Sequence, residues 1–216
     1  GGIFGGKIQG VVSGRTWEGS GRDFRFRSPS EFESLAGVSQ QGRTRDDFGN
    51  WFGNDNSTLL WHYPFPDAYA ALNPEVARPD PRVSLARGTD ANRVHPRSRT
   101  LDRFNDFDAA NHLTSACGPE IYRDTFLGAA YYGNAFVCEP VHNLVRRAVL
   151  EPEGPSFGAV RAATDRRSEF LASADHWFRP VEVRTGPDGG LWVVDFYREV
   201  IEHPRWIPAE RLKDLN

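Results

Sequence analysis

The sequence predicts an all-β protein, built of repeated antiparallel sheets with long irregular connections; a sandwich of two sheets is the alternative. Three observations predict it. Gly186-Pro187-Asp188-Gly189-Gly190 runs into Leu191-Trp192-Val193-Val194-Asp195. There Pro presets φ, Gly supplies a positive φ, and a β-branched, aromatic strand follows. Polar and aromatic residues alternate over 21–26, as on a half-buried strand. The chain holds 21 Gly and 15 Pro, which argues against a helical bundle.

Taken in order, residues 21–26 read as the first clear strand, and 134–137 and 144–150 as apolar strands. Helix signals are few. Pro208 can open a short helix over 208–213, and 168–172 can form one turn. A weak internal repeat starts at residues 46, 113 and 177. Each copy holds a strand entering from a polar segment, a turn and a more apolar strand. The copies pair 46–52 with 59–63, 113–123 with 133–139, and 177–183 with 190–197. The spacing exceeds the about 40–45 residues of a compact propeller blade. The excess falls in loops, above all the Pro-, Arg- and Asp-rich insertion at 74–111.

Composition excludes several classes. With 39% hydrophobic and 12% aromatic residues the chain can bury a core. A net charge of -3 argues against a general nucleic-acid face. No apolar run approaches the roughly 20 residues of a membrane-spanning helix. The chain lacks Met and begins Gly1-Gly2-Ile3, so it reads as a fragment or processed product. Lys occurs only at Lys7 and Lys213. The Arg bias fits either a base-composition effect or an Arg-lined cleft for oxyanions.

Five features offer chemistry. Residues 46–57 are dense in Asp and Asn, as turn chemistry or as hard oxygen ligands. Asp46 and Asp55 are the candidate metal ligands, and Asp47, Asn50 and Asn54 the candidate ligand-binding groups. Glu139, His142 and Asn143 stand where a strand ends, with His142 the candidate general base. Arg179 enters a strand between Phe178 and Pro180 and reads as a channel residue within a polar cluster, facing the same cavity as Asp47 and Asn50. Asp195 with Arg198, or Glu202 with His203, reads as ion pairs that tie down a loop. Cys117 and Cys138 fall on successive strands, where a disulfide is compatible with sheet spacing; two buried thiols are the alternative. We expect the bond in exported material. No Gly-x-Ser-x-Gly elbow, Walker loop or His-Glu-x-x-His occurs.

Residues 46–57, 114–123, 133–145, 177–181 and 186–208, taken together, resemble the membrane-bound dehydrogenase family abundant in planctomycetes and verrucomicrobia. That family is similar to the glucose/sorbosone dehydrogenase β-propellers. The resemblance implies a partial propeller, about three blades of six. Blade-like units lie near 15–70, 111–152 and 175–208 within a single fragment, 1–216. It implies a periplasmic or secreted protein, with the remaining propeller segments or other chains completing the fold. It also implies pyrroloquinoline quinone (PQQ) and calcium as cofactors of a sugar or alcohol dehydrogenase. The other expectation is a propeller module that binds carbohydrate or a partner protein without turnover.

Overall fold

The computed structural model describes residues 3–6, 9–12, 14–18, 22–28, 31–66, 69, 72–73, 75, 77, 80–88, 90–98, 111–200, 207 and 209–214. Over these residues the protein is all-β, made of several antiparallel sheets, none of them closed among the described residues. The strands are β1 (Ile3–Gly6), β2 (Gln9–Val12), β3 (Arg15–Glu18), β4 (Asp23–Ser28), β5 (Glu31–Leu35), β6 (Arg43–Arg45), β7 (Trp51–Asp55), β8 (Thr58–His62), β9 (Val83–Ser84), β10 (Cys117–Ile121), β11 (Ala135–Glu139), β12 (Leu144–Glu153), β13 (Ser156–Arg161), β14 (Leu171–Ala172), β15 (Pro180–Thr185) and β16 (Leu191–Asp195). A short helix, α1, spans Ala209–Asp214. Among the described residues no helix is long and apolar enough to cross a membrane.

The central sheet runs β10-β11-β12-β13, with β14 paired to the first two residues of β12. Every residue of β11 is buried, because this sheet is covered on both faces. Its side chains alternate between two cores, as a strand's period of two requires. Ala135 and Val137 join Phe52, Leu59, Leu60 and Leu85 from the sheet β6-β7-β8-β9. Phe136 and Cys138, with Tyr122 just past β10 and Val145 of β12, meet Val183 of β15, with Leu191 and Val193 of β16 against them. An uninterrupted apolar run is what burial on both faces produces. Each fully buried Leu or Phe contributes roughly 1.5–3 kcal/mol.

The three repeat copies coincide with three antiparallel pairs: β7 with β8, β10 with β11, and β15 with β16. The first half of the first copy departs from expectation. Residues 46–50 form the turn before β7, stapled by the Asp46 carboxylate. The insertion at 74–111 is not all loop. β9 extends the first sheet, and Ala86 bridges Ala159 of β13, tying the two larger sheets together. Residues 168–172 form no helical turn; they carry β14, and the helical turn lies at Ala163–Asp165.

Gly118 shows why its position excludes a side chain. Its φ is 51°, and a Cβ would sit 2.5 Å from the Val181 carbonyl oxygen, where β10 meets β15. Gly189 supplies the positive φ expected of the 186–190 turn, at 78°. Asp188 Oδ1 closes that turn by accepting from Gly190 N and Trp192 Nε1, both at 3.0 Å.

Candidate functional site

β11 ends at Glu139, and the chain reverses through a 3-10 turn, Pro140–His142. Asn143 completes the reversal in the left-handed region, φ 57°, which Asn tolerates better than most residues. The Glu139 side chain is wholly buried. It accepts from the Thr114 and Ser115 N–H groups at 3.1 Å and from Ser115 Oγ at 2.6 Å. His142 Nδ1 lies 3.1 Å from Oε1, and His142 Nε2 accepts from Asn111 N at 3.2 Å. That acceptor role fixes the tautomer: the proton is on Nδ1, and the imidazole donates it to Glu139. Ser, His and Glu therefore meet, but in the wrong order for a nucleophile. The hydroxyl bonds to the carboxylate and not to the imidazole.

Arg179 joins this cluster from β15's entry. It is 2% exposed. Its Nη1 donates to the Pro140 carbonyl at 2.9 Å and its Nε to that of Arg198 at 3.0 Å. Its Nη2 donates to the Glu199 carbonyl. The guanidinium lies in a hydrogen-bonded polar cluster as expected, formed by backbone carbonyls that it pins together. Asn143 does the same, donating from Nδ2 to the His176 and Phe178 carbonyls at 3.1 and 2.6 Å. Asp195 accepts from Arg179 N at 2.8 Å and from Tyr197 N at 2.9 Å. It thus closes the segment through backbone groups, where an ion pair with Arg198 was expected. Glu202 and His203 lie outside the described residues.

Asp47 and Asn50 are elsewhere, so the single cavity expected to unite them with Arg179 is not formed. The Asp47 carboxylate accepts from Tyr132 Oη at 2.6 Å and from Arg123 Nη1 at 3.4 Å. That hydrogen bond holds the Tyr132 phenol above its usual pKa. Beside them Phe48 is 85% exposed. Asp46, Asp47, Asn50, Arg123 and Tyr132 rim a hollow of about 170 Å³, with Ile121, Leu150 and Phe157 among its walls.

The residues expected to hold calcium do not gather. Asp46 accepts from Phe48 N, Asn50 N and Asn50 Nδ2. Asp55 accepts from Ser57 N and Thr58 N. Each carboxylate staples its own turn, and among the described residues no three His, Cys, Asp or Glu side chains form a metal-binding group. The candidate ligand-binding residues do not converge on one site either. Arg179 binds carbonyls, and Asn54 is 0% exposed, with both side-chain polar atoms unpartnered.

Cys117 and Cys138 face each other directly across β10 and β11, as the repeat placed them. They are free thiols, which corrects the expected disulfide. Burial pushes the Cys117 thiol up to about 12, with Glu139 and Glu182 adding to it. Burial also raises the Cys138 thiol, with Cys117 adding to it.

Sequence reasoning missed Ser115, Arg123 and Tyr132. Tyr132 beside the Gly133 turn was the available signal for the hollow, since binding residues are disproportionately carried on loops. Comparison with curated proteins and with solved structures returned no match. The model of a family described as a domain of unknown function, DUF7133, matches residues 1–216, and the chain belongs to that family.

Proposed function

We propose that this chain is a non-catalytic, carbohydrate-recognising part of a larger exported β-propeller protein. The observation that carries the reading is the Asp47 rim. A carboxylate, a guanidinium and a phenol are held together at an open hollow, with an exposed phenyl ring beside them. Sugars need this combination: acceptors and donors for paired hydroxyls, and an aromatic face for the apolar C–H surface of the ring. The propeller reading is supported by three antiparallel pairs, two of which pack face to face on the central sheet. Periplasmic or secreted placement follows from the family resemblance.

Dehydrogenase chemistry finds less support in this chain. Both nitrogens of His142 are engaged, one by a buried carboxylate and one by a backbone N–H. A general base needs a nitrogen within reach of substrate. The test is a calorimetric titration of the chain with a panel of neutral oligosaccharides. Saturable heat that Asp47→Ala removes supports the reading. Heat unchanged in that variant, or none from any glycan, contradicts it.

A further inference from the structure

We propose that the cleft between residues 93–97 and 167–172 binds a small polyhydroxylated anion, a sugar acid or a sugar phosphate. The cleft encloses about 710 Å³, within the roughly 300–1,000 Å³ of small-molecule sites. Glu169 forms part of its wall, with a side chain that is wholly buried. Its Oε1 accepts from His95 N at 2.9 Å and from Arg161 Nη1 at 3.0 Å. Its Oε2 is buried without a partner, and so is Nε2 of His95, which lines the same cleft. Native proteins seldom leave such atoms unsatisfied. Ligand hydroxyls satisfy both: one donates to the carboxylate, and another donates to or accepts from the imidazole nitrogen.

The opening has the opposite character. Arg93, Arg97 and Arg167 line the cleft and are exposed. Behind them the Arg146 and Arg161 guanidinium groups both donate to the Arg93 carbonyl. Glu169 is the one carboxylate among the described lining residues. Burial, then Arg161 and Arg93, lower the His95 pKa, so its imidazole is neutral near pH 7. Guanidinium groups bind carboxylates and phosphates through paired N–H donors. Phe170 and Leu171 give the cleft an apolar side. The ligand that meets all of these carries hydroxyls for the buried acceptor, an oxyanion for the arginines and a C–H face for the wall. A neutral sugar lacks the second property, and an inorganic anion lacks the first and third.

Calorimetry on the full chain tests this with four probes: glucuronate, glucose 6-phosphate, glucose and inorganic phosphate. At least one of the first two is expected to bind ten or more times tighter than both glucose and phosphate. Which of them does so tells whether the oxyanion is a carboxylate or a phosphate. The exposed double variant R97A/R167A is expected to weaken that binding at least tenfold, with an unchanged unfolding midpoint. Asp47→Ala is expected to leave it unchanged, which separates this cleft from the hollow. Absence of binding by both anionic sugars overturns the proposal. So does equal binding of glucose or of phosphate, an unaltered double variant, or loss of binding in Asp47→Ala.

Discussion

Glu139 and His142 lie 3.1 Å apart, and the imidazole is wired as a donor to a carboxylate that already accepts from Ser115 and Thr114. The cluster fastens the Pro140–His142 turn to the segment ahead of β10. Ser115→Ala removes a charge-assisted hydrogen bond and leaves Val141 N without the acceptor it has at 3.1 Å. We expect a loss of about 2 kcal/mol in chemical denaturation, with glycan binding retained. A stability change under about 0.5 kcal/mol, the size of an ordinary surface substitution, would contradict this role.

Arg179→Lys keeps the charge but replaces a planar fork with a single ammonium. It cannot hold the carbonyls of Pro140, Arg198 and Glu199 in the same geometry. The expected cost is about 3 kcal/mol, measured by urea unfolding. A fully native midpoint would show that the guanidinium fork is dispensable.

His62 stacks on Phe52 and meets Phe157 edge-on, with Nδ1 3.0 Å from Ser156 Oγ. Burial lowers its pKa below the ordinary 6.5, against a smaller pull from Asp46. The unfolded chain therefore takes up a proton at a higher pH than the folded one. Stability is full above 6.5 and falls as the pH drops toward the lowered folded value. His95 shifts in the same direction and adds to the slope. Burial raises the Glu169 and Glu182 carboxyls, which act in the opposite sense. The expected signature is therefore relative: between about pH 7 and about pH 5.5 the wild type loses melting temperature against His62→Phe. A wild type that holds or gains melting temperature against His62→Phe over that range would refute the assignment.

The two thiols face each other yet stay reduced and buried. With both pKa values raised, thiolate is scarce and access is poor. Ellman's reagent is expected to titrate neither cysteine in native protein at pH 8 and both after unfolding without reductant. No reaction after unfolding would show that a disulfide had formed.

What was legible in the sequence was local. The 186–190 turn is set by its own Pro, Asp and Gly, and the strand pairs by alternation and apolar runs within a few residues. The facing of Cys117 and Cys138 followed from the repeat, but whether they bond does not follow from register. The site was legible only in part, because its contacts are distant in sequence. Asp47 finds Arg123 and Tyr132 76 and 85 residues away, and Arg179 finds Pro140 across 39. Asp46 and Asp55 looked like ligands because the acceptors that hold a cation also staple a turn. Glu169 and His95 meet because the Glu169 carboxylate accepts from the His95 N–H across 74 residues, which no local pattern announces.

The most direct measurement is glycan binding by three proteins side by side: the wild-type chain, Asp47→Ala and His142→Ala. Recognition through the hollow predicts that Asp47→Ala weakens binding at least tenfold, about 1.4 kcal/mol, while His142→Ala binds as wild type even with a lowered unfolding midpoint. Full binding by Asp47→Ala, together with loss of binding in a folded His142→Ala, would contradict the account and return function to the buried cluster.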